Sequence, residues 1–277
     1  MENSYIWKNQ ILTFLFNIIM KKIVLFILLL SISKTFSQKE NELSQINIIK
    51  NKIAEVQIFN VDSPKNYLFE HIYYDRFGNT SKNILFNKDA TVWIKNSYQY
   101  NEQQQLISSL NEISNVITKH KYDESGNRFE SKSISSDSTV FHQHKMIYDE
   151  KNQKIKTFNK KKNSDDFYLS ESYFYTNDGL CFKMEQFNES EKLISTEEYE
   201  YDKNRNLTFI YRQRVNEKKG TTKYHYNKKG ELTKVDYSTG AFRKYKYDKL
   251  GNRIEEITYD HDDRILQHRE YKYNVFE

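Results

Sequence analysis

Tyr245-Lys246-Tyr247-Asp248-Lys249-Leu250-Gly251-Asn252 holds the signal that decides the fold. A spacing of two puts Tyr245 and Tyr247 on one face of an extended strand and Lys246 on the other. Asp at the start of a turn bonds backbone N–H groups ahead of it, and glycine supplies the positive φ that ends the turn. The octet therefore reads as strand, turn, next strand: one half of a β-hairpin.

Working outward, the second tyrosine recurs at Tyr74, Tyr100, Tyr122, Tyr148, Tyr175, Tyr201, Tyr226, Tyr247 and Tyr273, at steps between 21 and 27 residues. Two residues before each stands Ile72, Tyr98, His120, Met146, Tyr173, Tyr199, Tyr224, Tyr245 or Tyr271. Asp or Asn follows the tyrosine everywhere except at Thr176, and Gly78, Gly126, Gly179, Gly230 and Gly251 close five of the turns. Gly220 and Gly240 fall midway, where a two-strand repeat turns back. The last units give strands over 242–248, 253–259 and 265–274. Ile53 to Phe59 reads as a lead strand that caps the first edge. The expectation is all-β: a repetitive antiparallel β-hairpin meander of roughly 17 strands, forming a curled strip or open roll.

Composition agrees. Tyr 22 and Phe 18 favour strands, and the best helix former is confined to Ala54, Ala90 and Ala241. Part of this bias is what an AT-rich genome encodes, whereas the tyrosine lattice is not. One proline and seven glycines exclude collagen-like and linker chains. Lys+Arg 43 against Asp+Glu 38 leaves a net charge of +5, too small a surplus for a nucleic-acid binder.

The N-terminus reads as an address. Met20-Lys21-Lys22 is a positive segment, Ile23 to Leu30 an apolar one, and Thr35-Phe36-Ser37 a cleavage site with small residues at −3 and −1. The segment resembles Sec signals of Bacteroidetes. Residues 1–19 are expected to be an over-extended start, 20–37 a signal peptide, 38–66 a lead segment and 67–277 the repeats. Cleavage removes four lysines and Glu2, so +5 becomes +2, and the protein is expected to be exported to periplasm, cell surface or medium without stable membrane insertion. Cys181 is the only cysteine, which excludes an intramolecular disulfide and a thiolate metal cluster.

Tyr-x-Tyr-Asp-x-x-Gly-Asn at 245–252, and His120-Lys121-Tyr122-Asp123-Glu124-Ser125-Gly126-Asn127, resemble the YD repeat of RHS proteins. The resemblance covers residues 67–277 and implies β-hairpin strips, a secreted or cell-surface role and carbohydrate binding. The chain is too short for a toxin-sized shell, and no RHS core or toxin tip is recognisable after Tyr273, which argues against toxin delivery.

No nucleophile elbow, phosphate loop or His-Glu-x-x-His motif is present. Catalytic residues, cofactors and metal sites are therefore expected to be none. His142-Gln143-His144 is half of a zinc site but reads as two solvent-facing strand residues. His261-Asp262-Asp263 reads as a return turn, and the turn aspartates as Asx caps, not calcium ligands. Asp165-Asp166 and Glu255-Glu256 are paired carboxylates without a visible partner geometry. Tyr199, Tyr201, Tyr224, Tyr226, Tyr245 and Tyr247 are the candidate ligand-binding residues, as a stacking row for a glycan, though cross-strand packing explains most lattice tyrosines. The expected function is an exported, non-enzymatic structural or recognition surface whose partner is a glycan or cell-surface protein. Self-association through open sheet edges is expected as well. The alternatives are a carbohydrate-active enzyme using acidic residues on the strip and a fragment of an RHS toxin system.

Overall fold

The structure, a computed structural model, describes residues 45–61 and 65–277. The expected leader and over-extended start lie outside the described residues. A short helix over 45–50 precedes eighteen strands. They are β1 (Ile53–Asn60), β2 (Tyr67–Tyr74), β3 (Thr80–Phe86), β4 (Val92–Tyr100), β5 (Leu106–Asn111) and β6 (Val116–Tyr122). Next come β7 (Arg128–Ile134), β8 (Val140–Tyr148), β9 (Lys154–Lys160), β10 (Phe167–Tyr175), β11 (Cys181–Phe187) and β12 (Leu193–Tyr201). The last are β13 (Leu207–Arg214), β14 (Gly220–Tyr226), β15 (Leu232–Tyr237), β16 (Phe242–Tyr247), β17 (Arg253–Tyr259) and β18 (Ile265–Val275).

Each strand pairs antiparallel with the next, and β18 pairs antiparallel with β1, placing Tyr273 opposite Val56 and Tyr271 opposite Ile58. The sheet is a closed barrel, not the expected open strip of roughly 17 strands. Parity is one reason. In an up-and-down meander the first and last strands are antiparallel only when their number is even, and β1 brings the number to eighteen. Closure also leaves no open sheet edge among the described residues, so the expected self-association through edges loses its basis.

The turns are the second reason. Asp75 N donates to Asn79 O (2.9 Å) and Gly78 N to Asp75 O (3.0 Å): a type I turn followed by a left-handed residue, with a bulge where Tyr74 meets Thr80. The same two bonds recur at 101–105, 123–127, 149–153, 176–180, 202–206, 227–231 and 248–252. Gln104, Asn152 and Arg205 hold the left-handed position where glycine is missing, at φ 62°, 59° and 63°. A bulge bends its strand and increases the local right-handed twist. One per turn, repeated around the sheet, curls a wide meander onto itself.

Register divides the wall into two faces. The lattice tyrosines share theirs with Val56, Ile58, Met146, Met184, Ile210 and Val235, all buried. A one-layer closed wall can bury side chains only on its concave side, so this face is the inner one. The helix at 45–50 lies against it. Ile48 joins Ile53, Val56 and Ile58 in a cluster with Ile72, Tyr74, Tyr271 and Tyr273. Its polar residues and the residue after it reach the YD turns: Gln45 Nε2 donates to Asn79 Oδ1 (3.2 Å), Asn47 Nδ2 to Gly251 O (3.3 Å) and Asn51 Nδ2 to Asn252 Oδ1 (2.8 Å). The opposite, outer face carries ion pairs such as Lys121–Glu130 (3.0 Å) and Lys234–Asp236 (2.7 Å), and ring stacks such as Phe242 on Tyr259 (centroids 4.7 Å).

Candidate functional site

The inner wall begins, at the YD-turn end, with the lattice tyrosines. Tyr100, Tyr122, Tyr148, Tyr175, Tyr201, Tyr226, Tyr247 and Tyr273 each donate a hydroxyl hydrogen bond to the first backbone carbonyl of the strand after the preceding YD turn. The bonds run from 2.5 Å (Tyr273 to Arg253 O) to 3.0 Å (Tyr100 to Thr80 O). The accepting carbonyls sit at the bulges, where the ladder is interrupted. Each ring thus ties its repeat to the one before it. Burial pushes the Tyr100, Tyr122, Tyr148, Tyr175 and Tyr273 phenols up, Tyr100 to about 12.

The six candidate tyrosines all face inward, on β12, β14 and β16. Tyr201, Tyr226 and Tyr247 belong to the ring just described. Tyr199, only 6% exposed, donates to Glu197 Oε2 (3.0 Å). Tyr245 lies under the Arg253 guanidinium, 4.5 Å from its ring centroid. Tyr224 is half-buried beside them. The structure brings the six together as one row, with their rings packed into the wall.

One step further along the same face is a polar band that the search for aromatic stacking misses. It occupies the position four before each lattice tyrosine: Glu70, Asn96, Thr118, His144, Glu171, Glu197, Thr222, Arg243 and Arg269. The signal was present in the sequence, because a period of two carries the inner face on past the two aromatics.

Three sectors of the band are chemically distinct. On β9 and β10, Lys154 Nζ donates to Tyr173 OH (2.5 Å), Tyr173 donates to Glu171, and the ammonium stands 3.7 Å from that carboxylate. Burial outweighs Glu171 and pulls the Lys154 ammonium down to about 8. On β12 and β13, Glu197 is 2% exposed and accepts from Arg212 Nε (2.5 Å) and Tyr199. On β16 to β18, Glu256 is ringed by Arg243 (3.4 Å), Arg253 (3.6 Å) and Arg269 (3.7 Å) and accepts from Tyr271 OH (3.1 Å). Burial raises the nearby Glu70 carboxyl, against the pull of Arg269. Buried charges of this kind are held only when paired and hydrogen-bonded, which fixes their positions in the wall.

The other sequence candidates fall elsewhere. Glu255 and Glu256 point to opposite faces, Glu255 pairing outside with Lys246 (2.5 Å). Asp165 is an exposed turn residue on Lys160 (2.6 Å), and His261 and Asp262 are exposed in a return turn. The turn aspartates accept from backbone N–H groups, Asp248 Oδ1 from Leu250 and Asn252 at 2.8 Å each. His142 and His144 lie on the inner face of β8, beside Met146.

Residues 187–275 match the family model described as Teneurin YD-shell. Among solved structures the chain is similar to a TcdB2–TccC3–Cdc42 crystal structure at 16% identity and a TM-score of 0.42, over 79% of this chain and 15% of that one. It is similar to the Photorhabdus luminescens Tc holotoxin pore at 17% identity and 0.42, over 78% and 14%. A porin-like protein from Bacteroides uniformis gives 9% identity and 0.47, over 80% and 98%. No curated protein matches the chain. The matched residues carry the same tyrosine bond, turn and bulge that run back through the earlier repeats, so the YD-shell match falls on a pattern that extends beyond residues 187–275.

Proposed function

We propose that this protein is an exported, non-enzymatic recognition shell whose inner wall binds a polar guest, a glycan by its chemistry. The observation that carries the reading is the polar band. A barrel built only for stability gains by lining its concave side with apolar residues, and here Glu171, Glu197, Arg212, Arg243 and Arg269 line it instead. Fixed ionic and hydroxyl groups beside tyrosine rings are what a saccharide needs: donors and acceptors for its hydroxyls and flat apolar faces for its C–H surface.

The outer wall supports an aqueous setting. Charged side chains in the middle of the strands on the outer face, such as Lys183, Glu185 and Lys234, would be costly against lipid. Among the described residues, no helix is long and apolar enough to cross a membrane.

A glycan array probed with the full chain tests the reading. Saturable binding that Glu197→Gln or Arg243→Gln weakens at least tenfold, and that Lys246→Ala leaves unchanged, is the expected result. A blank array, or equal loss with the outer-face variant, overturns it.

A further inference from the structure

Alternate positions 142 and 144 of β8 put two imidazoles on the inner face, in the polar band. His144 Nδ1 and His142 Nε2 stand 3.2 Å apart, with the rings edge to face at 61° and centroids 5.3 Å apart. Two nitrogens bound to one tetrahedral zinc at about 2.0–2.1 Å are separated by about 3.3–3.4 Å. The contact is an imidazole–imidazole hydrogen bond, and with its proton moved to the donor ring's other nitrogen the two nitrogens stand at the separation a single ion requires.

The register supplies more donors in the same region. His144 is opposite Ser131 on β7 and Asn159 on β9, and His142 is opposite Ser133. On the far side of Ser131 lies His120 of β6, whose Nδ1 is 2.8 Å from Ser131 Oγ. A hydrogen bond of that kind fixes ring orientation in metal-binding histidines.

We infer that His142 and His144 form a chelating site for one divalent transition ion of the zinc, nickel and copper group, with its remaining positions open to water or a guest. Neutral imidazoles select these ions over calcium and magnesium, which prefer oxygen ligands. The site is on β8, whereas Glu197 and Arg243, whose variants test glycan binding, are on β12 and β16, so the two readings fail separately. Among the described residues, one other group competes for metal. Asp260, His261 and Asp262 hold ligand atoms within 4.8 Å of one another in an exposed return turn. That group is built mainly of oxygen ligands and serves as the control.

The test is calorimetric titration of the full chain, free of any histidine tag, with Zn2+. Co2+ in place of Zn2+ reports geometry through its visible absorption. The expected result is one ion per chain in the native protein and in His261→Gln. Affinity falls at least tenfold in His142→Gln and in His144→Gln, holds in His120→Asn, and is lost in the doubly substituted His142→Gln/His144→Gln chain. Urea midpoints measured without metal show whether each variant is folded. Unchanged one-to-one binding in a folded double variant, loss in His261→Gln, or no binding by the native chain overturns the assignment.

Discussion

Tyr247 and Lys246 are neighbours in sequence with opposite fates. The Tyr247 ring faces the inner wall and its hydroxyl donates to Leu232 O (2.8 Å). Lys246 points outward, 68% exposed, on a pair with Glu255. Tyr247→Phe removes one hydrogen bond and should cost about 1 kcal/mol, whereas Tyr247→Ala also empties packed volume and should cost about 3 kcal/mol. Lys246→Ala should stay within about 0.5 kcal/mol. Urea midpoints at constant m-value measure all three, and equal effects of the two alanine variants would show the faces reversed. Titration gives a second residue-scale expectation. Lys154 releases its proton near pH 8 in the native wall, while an unfolded lysine keeps it to about 10.4. Between these values the unfolded chain binds more protons, so stability rises with pH. Above pH 10 the order reverses, because unfolded tyrosines ionise while Tyr74, Tyr100 and Tyr271 hold their protons to about 12. Stability should climb from pH 8 and then fall steeply above pH 10. In Lys154→Met the climb should vanish and the fall should remain, as urea midpoints across pH 7–11 would show.

The turn and the helix at 45–50 interact most directly at Gly78. A Cβ there would lie 2.7 Å from Ile49 Cγ1, whereas a Cβ on Gly230 meets nothing within 4 Å; both residues have positive φ, 76° and 80°. Gly230→Ala should cost about 1 kcal/mol of backbone strain, and Gly78→Ala about 1 kcal/mol more for displacing the helix. The difference should disappear in an Ile49→Ala background, and its persistence would mean that the helix does not rest on this turn. How much of these elements was legible in the sequence differs by element. Turn positions followed from the tyrosine spacing even at Gln104, Asn152 and Arg205, because the type I turn plus left-handed residue is set by the hairpin's length, with glycine only its easiest occupant. The bulges were not legible, since a residue absorbed beside each turn leaves the lattice of tyrosines undisturbed. The helix was not either. Gln45-Ile46-Asn47-Ile48-Ile49-Lys50 is rich in β-branched residues, and contacts with Tyr74, Tyr271 and Gly251, distant in sequence, hold it helical.

For the whole molecule, closure rests on one seam. Pairing along the meander is local and follows from the repeat, but β1 and β18 are brought together across the length of the chain. Ile53–Phe59 was readable as a lead strand; nothing in its own residues shows what meets its far edge. The inner and outer assignment of the polar band depended on the same fact. Alternation separates Arg243, Tyr245 and Tyr247 from Lys244 and Lys246, and only closure makes the first set the lining of an enclosed surface. The seam also bears on association, because an unpaired β1 and β18 would present two long edges to other chains. Amide hydrogen exchange across the seam tests closure most directly. In the closed barrel the successive amides Val56 to Phe59 and Tyr271 to Tyr273 bond alternately to the strands on their two sides, so all of them should exchange slowly. Exchange at every second of these amides as fast as at the turn residue Lys249 would show an open strip.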